Sequence, residues 1–151
     1  MVTLYDVPAD EFIEALADRL DERLAAPDWV EYTKTGHDRE LPPQQDDFWA
    51  VRGASLFRKV AMRGPVGVER LATEYGGTKG GSNRYAVAPA RHVGGSKKII
   101  RELLIQLEDE GLLQTAQGEG RRTTADGDAF LDEVALEVFE SLDRPELERY
   151  A

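Results

Sequence analysis

Apolar residues recur at helical spacing in five stretches of the chain, each bounded by proline, glycine or a capping residue. In the first, Phe12, Ile13, Leu16, Leu20 and Leu24 share one face, which predicts an amphipathic helix with Pro8 near its first turn and Pro27 beyond its end. Trp29, Val30 and Tyr32 then open a stretch without periodicity that runs through Gly36 to Leu41-Pro42-Pro43. Proline pairs disfavour helix on both sides, so this chain is expected to lie extended over the core, anchored by Trp29.

A second helix is predicted from Asp46 or Asp47 to about Met62, ended by Arg63-Gly64-Pro65. At 100° per residue, Trp49, Ala50, Ala54, Phe57, Val60 and Ala61 fall on one arc, while Arg52, Lys59 and Arg63 fall within roughly 40° of one another on a second. Pro65 starts a short third helix carrying Val68, Leu71 and Tyr75, closed by Gly76-Gly77. Residues 76–96 have no apolar period. They combine six glycines with Lys79, Arg84, Tyr85, Arg91 and His92, a composition expected to be mobile alone and to order on a polyanion.

Ser96 is the expected N-cap of a fourth helix whose Ile99, Ile100, Leu103, Leu104 and Leu107 make a broad apolar face. Gly111 ends it. Leu112 to Thr115, a turn with Gly118 and Gly120, and Arg121-Arg122-Thr123 read as a β-hairpin tipped with two arginines. Thr124 then caps a last helix with Phe130, Leu131, Val134, Ala135, Val138 and Leu142 inward. A short helix, a longer helix and a hairpin in that order make a winged helix. The predicted fold is therefore mainly α: a winged-helix-like helical domain with a small β-hairpin at about 112–124 and flanking N- and C-terminal helices, forming one domain over residues 1–151.

Charge changes the picture more than composition does. Residues 52–101 hold eleven basic side chains against Glu69 and Glu74, a net +9. Residues 1–51 carry −9 and residues 102–151 carry −10, so the overall −10 conceals one positive field between two negative ones. Such a field draws a polyanion to one face while the acidic ends keep the molecule soluble. Few carboxylates lie within one helical turn of Arg52, Lys59 and Arg63, which favours phosphate contact over a merely solvated face. Lys97, Lys98 and Arg101 sit in the first turns of the fourth helix, where cations oppose its dipole and bound phosphate would relieve the conflict. The acidity, with only five lysines in the chain, also points to a salt-loving source.

Candidate chemistry is thin. With no cysteine there is no disulfide, thiolate zinc site or cysteine nucleophile, as expected of a reducing cytoplasm. No secretory signal and no bilayer-spanning run is apparent. His37 and His92 lack the spacing of metal ligands, the serines lie in no nucleophile elbow, and neither glycine run has the spacing of a nucleotide phosphate loop. The reading is a binding protein, not an enzyme, with no cofactor and no metal, monomeric when free.

Several segments, in order, carry a more specific likeness: Asp28-Trp29-Val30, Leu-Pro-Pro before Phe48-Trp49, Arg52-x-Ala54-Ser55, Arg63-Gly64-Pro65-Val66-Gly67-Val68, Tyr75-Gly76-Gly77, Arg91-His92 and Gly95-Ser96-Lys97-Lys98. Along nearly the whole chain this resembles the ribosomal protein S19e family of archaeal and eukaryotic small subunits. The resemblance implies a mostly helical protein with a winged-helix-like centre, seated on ribosomal RNA in the head of the cytoplasmic small subunit beside other ribosomal proteins, and needed for subunit maturation. It maps a basic surface onto Arg52, Arg58, Lys59, Arg63, Arg91, Lys97, Lys98 and Arg101. Composition adds Lys79, Arg84, Tyr85, His92, Arg121 and Arg122 as RNA contacts. The termini are more acidic than in typical members, and a basic C-terminal tail is absent.

A winged-helix transcription regulator is the competing expectation. Its third helix should read DNA, yet residues 68–75 offer only Arg70 and Thr73 for base contacts, beside Glu69 and Glu74.

Overall fold

The computed structural model describes residues 1–82 and 84–143. The elements run α1 (Ala9–Leu20), a 3-10 turn (Asp28–Tyr32), α2 (Phe48–Arg63), α3 (Val68–Glu74), β1 (Gly77–Lys79), β2 (Arg91–Val93), α4 (Lys97–Asp109), β3 (Leu113–Ala116), β4 (Gly120–Thr123) and α5 (Ala125–Leu142). The predicted order of helices and wing is the observed one. What remains of the 1–151 expectation, residues 144–151, lies outside the described residues.

One core joins all five helices. Phe12, Leu16 and Leu20 of α1 are fully buried with Phe57 and Val60 of α2, Leu71 of α3, the α4 face Ile99, Ile100, Leu103, Leu104 and Leu107, and Leu131, Val134 and Ala135 of α5. Each of these side chains larger than alanine contributes roughly 1.5–3 kcal/mol on leaving water, which is what holds helices this short. α1 is shorter than its apolar period because Leu24 reaches the core from a turn beyond it, with its N–H on the Leu20 carbonyl at 2.9 Å. Outside the core, Arg19 of α1 bridges Glu133 at 3.0 Å and Glu137 at 2.8 Å on α5.

The capping chemistry follows the sequence at α4 and α5. Gly111 adopts φ +78°, and the Leu112 and Gly111 amides donate to the Leu107 and Glu108 carbonyls at 3.1 and 3.0 Å. That pair of bonds is the Schellman ending, which needs a left-handed residue after the helix. The Thr124 hydroxyl accepts from the Gly127 amide at 3.0 Å and donates to the Gly111 carbonyl at 2.7 Å, so one side chain starts α5 and ties it to the end of α4. Ser96 occupies the N-cap of α4 but makes no side-chain capping bond.

The glycine-rich segment, which carries no apolar period, contains a short ladder in which β1 and β2 pair antiparallel with Thr78 opposite His92. Two expectations need correction. Gly76-Gly77 does not close α3 through a left-handed turn; a Cβ on Gly76 would strike the Val93 carbonyl, so this glycine permits close approach of two backbones. The wing arginines are not at its tip. Arg121 and Arg122 lie on β4 opposite Thr115 and Gln114, and the Arg121 backbone also bonds Val66 in both directions at 3.0 Å, adding a third, single-residue rung ahead of α3.

Candidate nucleic-acid interface

The predicted stripe on α2 forms, but α3 meets it. Arg52 and Lys59 both lie against the ring of Tyr75, with the Arg52 guanidinium carbon 4.4 Å and the Lys59 ammonium 5.0 Å from its centre. Phe48 supports Arg52 from within α2 at 5.2 Å. The Tyr75 hydroxyl shares a 2.6 Å hydrogen bond with Ser55, which fixes the ring that fixes the cations. Burial raises the Tyr75 pKa and lowers that of Arg52, and each is partly offset by its neighbour: the Ser55 hydrogen bond and then Arg52 for the phenol, Tyr75 for the guanidinium. Arginine remains charged regardless.

Glu74 is the feature that sequence spacing concealed. It lies 3.6 Å from Lys59 and closer still to Arg63, so two of the three cations expected to lack acidic neighbours share a carboxylate from the next helix. The rule of one helical turn sees only contacts within a helix, and this contact is between helices. Arg58, on the same helix, is half-buried, and its Nε has no hydrogen-bond partner among the described residues.

A second cluster gathers where α4 begins. Lys98 sits 4.4 Å over the Trp29 ring, Trp29 packs edge-on against Trp49 at 5.9 Å, and the Trp49 indole N–H donates to Gln106 Oε1 at 3.0 Å. Trp29 therefore anchors its segment as expected and also holds a cation. Lys97 pairs with Glu69 at 2.5 Å, and Arg101 stands exposed one turn on. From β2, Arg91 donates to the Gly81 carbonyl at 2.9 Å and His92 Nε2 meets the Thr73 carbonyl at 3.1 Å. Arg84 stacks on the exposed Tyr85 at 5.4 Å, in a turn closed by the Ser82 amide on the Tyr85 carbonyl at 2.8 Å. Lys79 is half-buried on β1.

The wing pair divides. Arg121 is held by Glu108 of α4 at 3.2 Å, whereas Arg122 projects into solvent. The Thr115 hydroxyl, donating at 2.5 Å, holds the Glu108 carboxyl below its ordinary range; desolvation opposes this, and Arg121 adds to the lowering.

Between α3, the start of α4 and the 3-10 turn lies an open cleft of about 840 Å³. Tyr32, Lys34 and His37 line one side and His92, Ser96 and Lys97 the other, so the fold brings together two histidines far apart in sequence. Sequence reasoning missed Tyr32, Lys34 and His37 because they fall in the acidic half of the chain. The pairing of Gly36 with Gly95 is what carries them to the basic run, and no local period announces it.

The arrangement can bind phosphate and stack bases. The family model described as ribosomal protein S19e matches residues 3–141. A small ribosomal subunit protein eS19 of Haloarcula marismortui is 56% identical over the full length of both chains. The protein of that name from Aeropyrum pernix is 40% identical over 99% of each. Small ribosomal subunit protein eS19B of Schizosaccharomyces pombe is 36% identical over 92% of this chain and 96% of its own.

Proposed function

Because the chain belongs to the ribosomal protein S19e family, we propose that it is a structural, non-catalytic component of the small ribosomal subunit in the cytoplasm, binding ribosomal RNA in the head and supporting subunit maturation. The observation that carries the RNA reading is that Arg52, Lys59 and Lys98 rest on aromatic faces 4.4–5.0 Å away. A cation held on a ring is ordered in advance yet keeps its charge for phosphate, so less side-chain freedom is lost on binding. The run from α2 through the β1–β2 segment to α4 suits an irregular RNA surface. α3, the helix a DNA-reading winged helix would use, is instead occupied with its own carboxylates on Lys59, Arg63 and Lys97. Identity to a protein from Haloarcula fits the halophilic archaeal source that the acidity suggested.

The test is sedimentation. The chain should travel with small subunits in a sucrose gradient, and replacing Arg52, Lys59 and Arg63 together by Ala should reduce its share there by about tenfold or more. Unchanged incorporation of a folded triple variant would defeat the assignment of this stripe to RNA.

A further inference from the structure

We propose that the cleft between the 3-10 turn and the start of α4 receives one unpaired nucleotide of the bound RNA, its base against Tyr32 and the two histidines and its phosphate against Lys34 and Lys97. The inference rests on the RNA reading above and adds a defined subsite to it. At about 840 Å³ the cleft lies in the range of sites that take a small ligand, while an intact duplex is too broad to enter it. Tyr32 is 81% exposed, an aromatic ring left open to solvent beside a cleft of mixed polar and apolar lining. Unstacked bases seek such a face, and imidazoles serve the same purpose.

The floor is backbone. Gly36 and Gly95 pair there, and a Cβ on Gly95 would come within 2.9 Å of the Tyr75 carbonyl oxygen, so close packing behind the floor excludes a side chain at Gly95. Lys97 is held by Glu69, whose side chain is 85% exposed. An ion pair this open to water is weak, and a phosphate can displace the carboxylate. Lys98 on Trp29 is next to Lys97 in sequence, which makes the cleft continuous with the basic run.

Ultraviolet crosslinking of assembled small subunits, followed by mapping of nucleotide adducts on the full chain, tests this. Adducts are expected on the peptides holding Tyr32, His37 and His92. Tyr32→Ala should lower their yield by about tenfold, from the loss of one stacking face, while Tyr32→Phe keeps it. Because Tyr32 lies outside the core, neither variant should alter folding. Adducts elsewhere on the basic run with none in the cleft would overturn the nucleotide subsite and leave the RNA reading standing. A chain that fails to sediment with small subunits at all would overturn both.

Discussion

The Arg52 guanidinium lies 4.4 Å above the ring of Tyr75, whose hydroxyl is tied to Ser55 at 2.6 Å, so a cation on one helix is aimed by a residue at the end of the next. Arginine suits this place because its plane stacks on the ring while its edge still offers paired donors. Lysine keeps the charge and loses both properties. Changing Arg52, Arg63, Arg91 and Arg101 to Lys should reduce ribosomal RNA binding about tenfold in molar potassium chloride, where counterion release contributes little. Equal filter binding by parent and variant at that salt would show that net charge suffices.

Glu74 pairs with both Lys59 and Arg63, so on the proposed RNA contact it would compete with phosphate for them. Glu74→Gln should therefore tighten RNA binding and steepen its salt dependence by about one phosphate contact, seen as a change in slope of log affinity against log salt. The loss of stability should stay within about 1 kcal/mol, since both cations are partly exposed and solvent screens the pair. Weaker binding by the variant would mean that Glu74 positions the cations instead of masking them.

Glu108 links α4 to the wing through Thr115 and Arg121. Its folded pKa is depressed, so its contribution is fully present above the unfolded value of about 4.3 and is lost as pH falls through the lower folded value. Urea titrations of the parent and Glu108→Gln should differ near neutrality, and the gap should close progressively as pH falls below the unfolded value of about 4.3. A constant gap down to acid pH would assign the effect to shape and not to ionisation.

The β1–β2 ladder can be probed at its glycines. Gly76→Ala should cost about 1–3 kcal/mol, because the new methyl meets a backbone carbonyl that cannot move alone. Gly80→Ala has open space around it and should change stability by less than about 1 kcal/mol. Amide exchange should show protection at 77–79 and 91–93 in the parent, reduced by the first substitution only. An unprotected stem in the free parent would return the segment to the mobile state its composition suggested.

What the sequence made legible is what repeats along it. The inward faces of α1, α2, α4 and α5, the Gly111 ending and the Thr124 cap all follow from spacing and local bonding, and each lies where expected. The stripe of Arg52, Lys59 and Arg63 was visible for the same reason. Its two supports were not. Tyr75 reads as one more apolar residue of α3, and Glu74 as one more solvated acid, until the crossing of α2 and α3 brings both onto the cations. The β1–β2 pairing was hidden because glycine-rich chain carries no alternation, and its register depends on which residues lack a Cβ.

The Ser96 amide donates to the Thr35 carbonyl at 2.7 Å, beside the rung between Gly36 and Gly95. These partners stand some sixty residues apart in the chain, so the bond at the floor of the cleft also closes a long loop. Loop closure of this length is entropically unfavourable until the helices between its ends have packed. The 28–43 segment is therefore expected to dock after α2, α3 and α4 have packed. By the same reasoning its amides should exchange ahead of those of the core helices in the native state.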